Sequence, residues 1–234
     1  MIEMSKLNQT RGGIILKLSE LWNQAEAILF DFDGVLADSE PLYRKSWNLV
    51  LADYAHSIPE KDYWKYWAFL GEGLAGEMKR TGLRVKDREA ARSRQKTLYA
   101  KFCMDGQVPF FPFASAVLEM TIKRKQCAIA SNTDSNLITA MAGKNIYSLP
   151  PVIGGEGLRH KPFPDIFLKA SKFLLIEPSR CLVFEDAWKG VKAAESAGMP
   201  AVLVRNGYNT ALPAPEALCE IQGLEELYQF LKEL

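Results

Sequence analysis

The chain has 234 residues, of which 48% are apolar and 24% charged, and these values exclude disordered, collagen-like and coiled-coil sequences. Its 29 basic and 28 acidic residues leave a net charge of +1, so we predict no nucleic-acid partner and no membrane partner. No run of about 18 uncharged apolar residues occurs, which predicts a cytoplasmic protein without a membrane-spanning helix. The length fits one large core, alone or with a small accessory domain.

The first predicted elements are a helix and a short strand. Apolar residues recur at helical spacing over 14–22, and the apolar run Ala27–Phe30 predicts a buried strand that ends in a polar loop. From about residue 41 to residue 110 the periodicity is helical, aromatic residues are frequent and no strand pattern is found. We therefore predict an all-helical cap domain, residues 42–110, inserted after the first strand, where it would exclude water from the strand ends.

The rest of the chain alternates between strand and helix patterns. Strands are predicted at 127–130, 151–153, 181–184 and 200–204, and helices at 116–125, 137–144, 164–175, 190–197 and 224–234. This alternation predicts an α/β fold with a three-layer, Rossmann-like core, in which helices cover both faces of a parallel sheet. The predicted core comprises residues 1–41 and 111–234, with 1–26 as an N-terminal helical extension. Its ligand site should lie beyond the carboxyl ends of the strands.

The four cysteines are far apart in the sequence, and two of them lie inside apolar runs. A buried thiol in such a run behaves as a small apolar side chain. We predict that all four are reduced and structural: Cys103, Cys127, Cys181 and Cys219.

Two carboxylates follow the first predicted strand. Asp31 and Asp33 are close enough in sequence that their mutual repulsion favours a bound cation, for which Mg²⁺ is the natural candidate. The alternative is an ordinary polar turn, since Asp-x-Asp-Gly is also a turn sequence. Other segments of the chain decide between these two interpretations.

Four segments carry a resemblance to a known family. The sequence DFDGVLADS at 31–39 closely resembles motif I of the haloacid dehalogenase (HAD) superfamily, particularly its phosphoglycolate phosphatase and β-phosphoglucomutase branch. Residues 131–133 (SNT) resemble motif II, 161–167 (KPFPDIF) resemble the motif III lysine segment, and 184–199 (FEDAWKGVKAAESAGM) resemble motif IV. Four motifs in the family's order argue against a chance match.

The resemblance implies roles for the two motif I aspartates. Asp31 would attack the substrate phosphorus and form an aspartyl-phosphate, which divides a difficult displacement into two steps. Asp33 would protonate the leaving oxygen and then activate the hydrolytic water. The family pattern also has both residues bind Mg²⁺, with Asp33 using its backbone carbonyl so that its side chain stays free.

The resemblance also implies a set of phosphate-binding residues. The Ser131 hydroxyl, with the backbone amides at Asn132 and in the turn after Asp31 that contains Gly34, would hold the phosphoryl oxygens. Lys161 would offset the negative charge that grows as the nucleophile approaches the phosphate. Without the resemblance, Ser131 is interpreted as a strand-end or helix-cap serine and Lys161 as a solvated surface lysine.

Two further acids, Glu185 and Asp186, follow the strand predicted at 181–184. Two acids at the start of a helix suit its positive dipole without any metal. The resemblance instead implies that Asp186 binds Mg²⁺ directly, and that Glu185 is either a ligand or a group that orients Lys161 or a metal-bound water.

These residues together predict a Mg²⁺-dependent phosphatase that hydrolyses a small phosphorylated metabolite, as a monomer or weak homodimer. Asp33 argues against a dehalogenase, because dehalogenases of this superfamily lack the second motif I aspartate. A non-catalytic binding protein with the HAD fold is disfavoured because Asp31, Asp33 and Lys161 are all intact.

The main alternative is a sugar phosphate mutase like β-phosphoglucomutase. Tyr43 occupies the position of the histidine that assists Asp33 in that enzyme, and Leu74 the position of the arginine that binds the distal phosphate. Both differences favour hydrolysis. In a mutase that charge would come from elsewhere in the cap, for which the candidates are Lys79, Arg80 and Arg84.

Overall fold

The computed structural model describes residues 11–143 and 145–234. The strands are β1 Ala27–Phe30, β2 Gln126–Ala130, β3 Val152–Ile153, β4 Cys181–Glu185, β5 Ala201–Val204 and β6 Cys219–Ile221. They form one sheet in the order β3-β2-β1-β4-β5-β6, and every neighbouring pair is parallel. The chain therefore fills one side of β1 with β2 and β3 before it crosses to β4, and this change of direction creates a ligand crevice at the carboxyl ends of the central strands.

The side chains of β1 show why its sequence is an uninterrupted apolar run. Ile28 and Phe30 belong to one apolar core, whereas Ala27 and Leu29 belong to a second core. Successive side chains of a strand point to opposite faces, so both faces of β1 are buried. The predicted three-layer arrangement is confirmed.

Helices supply the two outer layers and the segment between the first two strands. The helices are α1 Arg11–Gln24, α2 Glu40–Leu51, α3 Glu60–Asp62 continued by a π-helix Tyr63–Phe69, α4 Gly73–Thr81, α5 Arg88–Met104, α6 Ala114–Ile122, α7 Ser135–Ala142, α8 Asp165–Leu174, α9 Trp188–Ser196 and α10 Leu224–Lys232. Helices α1, α6, α7 and α10 cover one face of the sheet, and α8 and α9 cover the other.

The segment between β1 and β2 has an apolar core of its own. Trp47, Tyr63, Trp67 and Leu74 are buried together, and Trp47 packs on Trp67 with ring centroids 5.2 Å apart. Helices α2 and α4 and the π-helix supply these residues, and no strand of the sheet comes from this part of the described chain. The division into a cap domain over 42–110 and a core over the remainder stays a prediction.

The predicted elements match the observed ones with small differences. Strand ends agree within one residue and helix ends within three residues. The sheet contains a sixth strand, β6, that was not predicted, because its three residues include the half-buried Glu220 and form no apolar run. All four cysteines are buried free thiols, as predicted.

Some predictions fall outside the described residues. The N-terminal extension is described only from residue 11, where α1 buries Leu18, Leu21 and Trp22 in the core. The last residue of the helix predicted over 137–144 also lies outside. Among the described residues, no helix is long and apolar enough to cross a membrane.

Candidate active site

Three acidic side chains meet where β1 and β4 end. These strands are parallel neighbours, so the chain leaves both of them at the same edge of the sheet. Asp31, Glu185 and Asp186 each offer a carboxylate oxygen, and these oxygens lie within 4.8 Å of one another. We call these three residues the acidic cluster. Residues from motifs I and IV of the sequence resemblance are thereby brought to one place.

Lys161 lies between two carboxylates of the acidic cluster. Its Nζ is 2.8 Å from Asp31 Oδ1 and 2.6 Å from Glu185 Oε1, and it donates to the carbonyl of Ala130 at 3.1 Å. The side chain is only 1% exposed, which excludes a solvated surface lysine. Asn132 helps to hold the segment that carries Lys161, because its Oδ1 accepts the Lys161 backbone N–H at 3.1 Å.

Burial and mutual repulsion shift the protonation of this site. Burial, with the charge of Glu185, raises the pKa of Asp31 to about 8, although Lys161 opposes the shift. Burial and the same glutamate also raise the pKa of Asp186 well above its usual range. Burial lowers the pKa of Lys161, but Asp31 and Glu185 more than offset this and leave the lysine pKa raised. The site therefore gathers three carboxylates, two of which pair directly with Lys161, while the charge of Lys189 acts on Asp186 without a direct ion pair.

The acidic cluster fits a divalent cation such as Mg²⁺. Magnesium prefers carboxylate oxygens, and its two positive charges would offset the burial and mutual repulsion that raise the pKa of Asp31 and Asp186. Gly34 opens space for one of these oxygens: its φ is +81°, and a Cβ placed there would lie 2.0 Å from Asp186 Oδ2. Only glycine lets the loop after β1 approach the carboxylate this closely.

The Asp33 carboxylate is bound by four hydroxyl groups. Ser39 and Tyr99 donate to Oδ1, the tyrosine at 3.4 Å, whereas Ser131 and Thr133 donate to Oδ2 at 2.8 and 2.7 Å. Among the described residues, this carboxylate is not part of the acidic cluster. A metal contact from Asp33 would therefore use its backbone carbonyl, as the family pattern implies.

Ser131 makes the local contact of a strand-end serine and also contacts Asp33, whereas its phosphate-binding role stays a prediction. It follows β2 directly and is 1% exposed, and its Oγ accepts the backbone N–H of Thr133 at 3.0 Å, a local turn contact of a strand-end serine. The same hydroxyl donates to Asp33. The local hydrogen bond fixes the hydroxyl beside the acid.

A cavity of about 920 Å³ is lined by Asp31, Asp33, Ser131 and Lys161 together with residues from α2 to α5. Tyr43 is one of the lining residues, and its ring packs edge-on against that of Tyr99 at a centroid distance of 5.0 Å. Tyr99 therefore links Tyr43 to the Asp33 carboxylate.

The cap cations considered for a mutase lie elsewhere. Leu74 lines the cavity but is 2% exposed, and it packs in the apolar core of the helical segment that joins β1 to β2. Arg80 forms ion pairs with Glu77 and Asp62, and none of Lys79, Arg80 and Arg84 lines the cavity. The described cations that line the cavity from this segment are Arg92 and Lys96 of α5.

Several residues of the site were missed in the sequence. Lys189, from α9, lines the cavity, and Glu40, at the start of α2, receives a hydrogen bond from the Tyr63 hydroxyl. Tyr99 comes from the last cap helix, and Asn206 contacts Asp186 from the loop after β5. Glu40 directly follows motif I and Lys189 lies within motif IV, so their position in the sequence was a usable signal. Tyr99 and Asn206 lie in no motif.

A model of the haloacid dehalogenase-like hydrolase family matches residues 25–198. The chain belongs to this family. The matched segment runs from the residues before β1 to the end of α9 and contains the whole acidic cluster and Lys161.

Two relatives of this HAD-like hydrolase differ in length. SUPPRESSOR OF QUENCHING 1, a chloroplastic protein of Arabidopsis thaliana, is 31% identical over 201 residues, an alignment that covers 82% of this chain but 19% of that protein. Fructose-1-phosphate phosphatase YqaB of Escherichia coli K12 is 28% identical over 196 residues, which are 79% of this chain and 99% of the relative. The chain thus matches one part of the Arabidopsis protein and nearly all of YqaB.

Solved structures also share the fold. The crystal structure of β-phosphoglucomutase from Clostridium difficile superimposes with a TM-score of 0.70 at 20% identity, over 89% of this HAD-like hydrolase and 98% of that chain. The similarity concerns the arrangement of the elements.

Proposed function

We propose that this HAD-like hydrolase is a Mg²⁺-dependent phosphatase of small organic phosphate monoesters, with Asp31 as nucleophile. The observation that carries the proposal is the buried Asp31–Lys161 ion pair beside Glu185 and Asp186. It combines a nucleophile, a fixed positive charge and two further carboxylates beside a ligand-sized cavity, which Asp31, Lys161 and Asp186 line. The phosphatase name of the E. coli relative supports the same reaction class.

The reaction begins with attack by a carboxylate oxygen of Asp31 on the substrate phosphorus. The bond between phosphorus and the ester oxygen breaks, and its electron pair leaves with that oxygen, which takes a proton from Asp33. In the second step Asp33 accepts a proton from water, whose oxygen attacks the phosphorus of the aspartyl-phosphate. The bond to Asp31 then breaks, and inorganic phosphate is released.

Lys161 and Ser131 would stabilise the two anions that meet in the reaction, which are the Asp31 carboxylate and the phosphoryl group. The raised pKa of Lys161 keeps its ammonium charged at neutral pH, which favours the ionised form of Asp31 and reduces its repulsion of the phosphoryl group. The Ser131 hydroxyl, the Asn132 amide and the backbone at Gly34 would bind the phosphoryl oxygens.

The acidic cluster would hold the cation. Asp31 and Asp186 would bind Mg²⁺ through carboxylate oxygens and Asp33 through its carbonyl, with Glu185 as a ligand or as the group that orients Lys161. When bound, Mg²⁺ would neutralise charge on the phosphoryl oxygens. We further propose that residues 42–110 act as the cap that closes over the substrate and excludes water.

Hydrolysis is favoured over isomerisation by the cap residues. A mutase must hold a second anionic group while the sugar turns over, and the position considered for that charge is occupied by the buried Leu74. Arg80 is already paired with Glu77. We therefore expect net phosphate release rather than transfer of phosphate within a sugar.

The test is a panel of phosphorylated sugars, organic acids and nucleosides, assayed for phosphate release with Mg²⁺ and with EDTA. We expect release from at least one ester with Mg²⁺ and none with EDTA. Asp31→Asn should release no phosphate, whereas Asp105→Asn, which changes an aspartate of an exposed ion pair directly after α5, is the matched control and should keep full activity. Release that persists in EDTA would contradict the metal requirement.

A second assay separates the two reaction types. Incubation with β-glucose 1-phosphate and a bisphosphate activator should give no glucose 6-phosphate. Isomerisation without net phosphate release would establish a mutase, and the absence of both reactions across the whole panel would favour a non-catalytic protein.

A further inference from the structure

The loop that follows β5 reaches the acidic cluster through one asparagine side chain. Asn206 Nδ2 donates to Asp186 Oδ2 at 3.0 Å and to the backbone carbonyl of Gly34 at 3.0 Å. One amide group thus joins the loop after β1 to the acid after β4. These two loops are the ones that bring motifs I and IV together.

The orientation of this amide is fixed by its other hydrogen bonds. Asn206 Oδ1 accepts the backbone N–H groups of Tyr208 at 3.0 Å and Asn209 at 3.2 Å. Because only an oxygen can accept these two donors, the amino group must face the oxygens of Asp186 and Gly34. The Asn206 side chain therefore acts as a donor toward the carboxylate.

The loop itself is held by a second asparagine and by an arginine. Asn209 is 3% exposed, and its Nδ2 donates to the backbone carbonyls of Asp186 at 2.7 Å and Val204 at 3.0 Å. Arg205 donates to the carbonyl of Asn209 at 2.7 Å and forms an ion pair with Glu220 of β6. The position of Asn206 is thereby tied to the edge of the sheet.

The Asp186 carboxylate is confined on two sides. The backbone at Gly34 lies so close that an added Cβ would meet Asp186 Oδ2 at 2.0 Å. The Asn206 amide occupies a hydrogen-bonding direction of the same oxygen. A carboxylate restrained in this way presents its remaining lone pairs in fixed directions, which lowers the entropy lost when it binds a cation.

We propose that Asn206 is a positioning residue that orients Asp186 for binding of the divalent cation. The proposal rests on the proposed metal-dependent function. Asn206 donates to the carboxylate, so its contribution is to fix the orientation of a metal ligand. Removing the amide should weaken Mg²⁺ binding while the acidic cluster keeps all its carboxylates.

The experiment measures Mg²⁺ binding to the substrate-free protein by titration calorimetry, and the rise in Tm with Mg²⁺, for wild type, Asn206→Leu and Asn206→Ser. Leucine preserves the volume without the amide, and serine is a milder change that keeps a polar group but is too short to reach Asp186. We expect Kd to rise about 10-fold or more for both, since changes to groups that orient metal ligands typically weaken affinity by about 10- to 100-fold. In the assay, the Mg²⁺ concentration for half-maximal activity should rise more than kcat falls.

Tyr208→Phe is the matched control on the same loop. Its hydroxyl donates to Asp38 at 3.2 Å, and its ring stacks on Trp64 at a centroid distance of 3.8 Å, so the variant removes one hydrogen bond and keeps the stack. Its Mg²⁺ affinity should stay within about twofold of wild type, because the lost hydroxyl contacts Asp38 and none of the proposed metal ligands.

The outcomes separate this proposal from the function on which it rests. Folded Asn206 variants that bind Mg²⁺ as tightly as wild type would overturn the positioning role, even if their Tm in EDTA is lower. A loss of Mg²⁺ affinity equal to that of Tyr208→Phe would overturn it as well. Wild-type protein that binds no Mg²⁺, or that releases phosphate in EDTA, would instead overturn the proposed function.

Discussion

The sheet core and the helical segment over residues 42–110, which we call the cap segment, each bury a cluster of charged side chains. The two clusters are built differently. In the cap segment, Glu77 is 1% exposed and is bound by Trp67 Nε1 at 2.8 Å, by His56 Nε2 at 2.8 Å and by the Arg80 guanidinium. Each oxygen of this carboxylate has a partner. At the strand ends, Asp31 and Glu185 share the single ammonium of Lys161, and Asp186 has no direct ion pair among the residues the structure describes.

The difference distinguishes a structural buried charge from a functional one. A buried ion pair that is fully hydrogen-bonded is tolerated and ties elements together. A buried group of like charges without equal compensation raises the free energy of the folded protein, and such groups persist where a ligand supplies the missing charge. We therefore expect Mg²⁺ to alter the stability of core variants and to leave the effect of cap variants unchanged.

The largest effect on stability is expected from Lys161→Met. The change leaves Asp31 and Glu185 buried without their ammonium, and loss of one partner of a buried ion pair typically lowers the free energy of unfolding by about 3–5 kcal/mol. Urea denaturation in EDTA should show this loss, and Mg²⁺ should restore part of it. A loss that is equal with and without Mg²⁺ would contradict the claim that a cation compensates the charge of the acidic cluster.

A smaller effect is expected from Glu77→Ala in the cap segment. Arg80 and His56 lose an acceptor, but their side chains are 24% and 20% exposed and regain some hydration, so we expect a loss of about 2 kcal/mol. The matched Glu77→Gln variant keeps an acceptor oxygen and should lose less. Here the urea midpoint should fall by the same amount in Mg²⁺ and in EDTA, and rescue by Mg²⁺ would break the comparison.

The contact between the cap segment and the core should contribute less to the free energy of unfolding than either charged cluster. Trp64 stacks on Tyr208 with ring planes 11° apart, and aromatic pairs are typically worth about 0.5–1.5 kcal/mol beyond their burial. Trp64→Leu should lower the free energy of unfolding by about 1 kcal/mol, whereas Trp64→Phe keeps a ring and should lose about half of that. Equal losses for the two variants would show that stacking contributes nothing.

The smallest effect is expected at a surface ion pair. Glu119 of α6 and Lys123, the residue directly after this helix, are four residues apart, and both side chains are exposed. Lys123→Ala should change the free energy of unfolding by less than about 0.5 kcal/mol, because exposed pairs are well solvated. A larger change in urea denaturation would mean that charge pairing at the surface matters as much as burial.

The core could be predicted from the sequence because its elements are strongly patterned. Strands buried on both faces appear as uninterrupted apolar runs, and each central run ends in polar residues that converge at one edge. The edge strand β6 has no such signal, since Glu220 interrupts it. The π-helix Tyr63–Phe69 was also not predicted, because its aromatic side chains fit an ordinary helical pattern equally well.

The candidate site was predictable where residues lie inside motifs. Asp31, Ser131, Lys161 and Asp186 follow or neighbour the strands, and their contacts could be anticipated from chain order. Asn206 could not be found in this way, because its contact with Asp186 depends on the path of a loop anchored to an unpredicted strand.

The most direct test of the central claim is capture of the phosphorylated enzyme. Wild-type protein with Mg²⁺ and its best substrate would be quenched in acid during turnover, digested, and mapped by mass spectrometry after borohydride reduction of acyl-phosphates. We predict one modified peptide, with the change at Asp31, and none in Asp31→Asn or in EDTA. Rapid phosphate release with no modification at Asp31, or with the modification at another residue, would contradict the proposed mechanism.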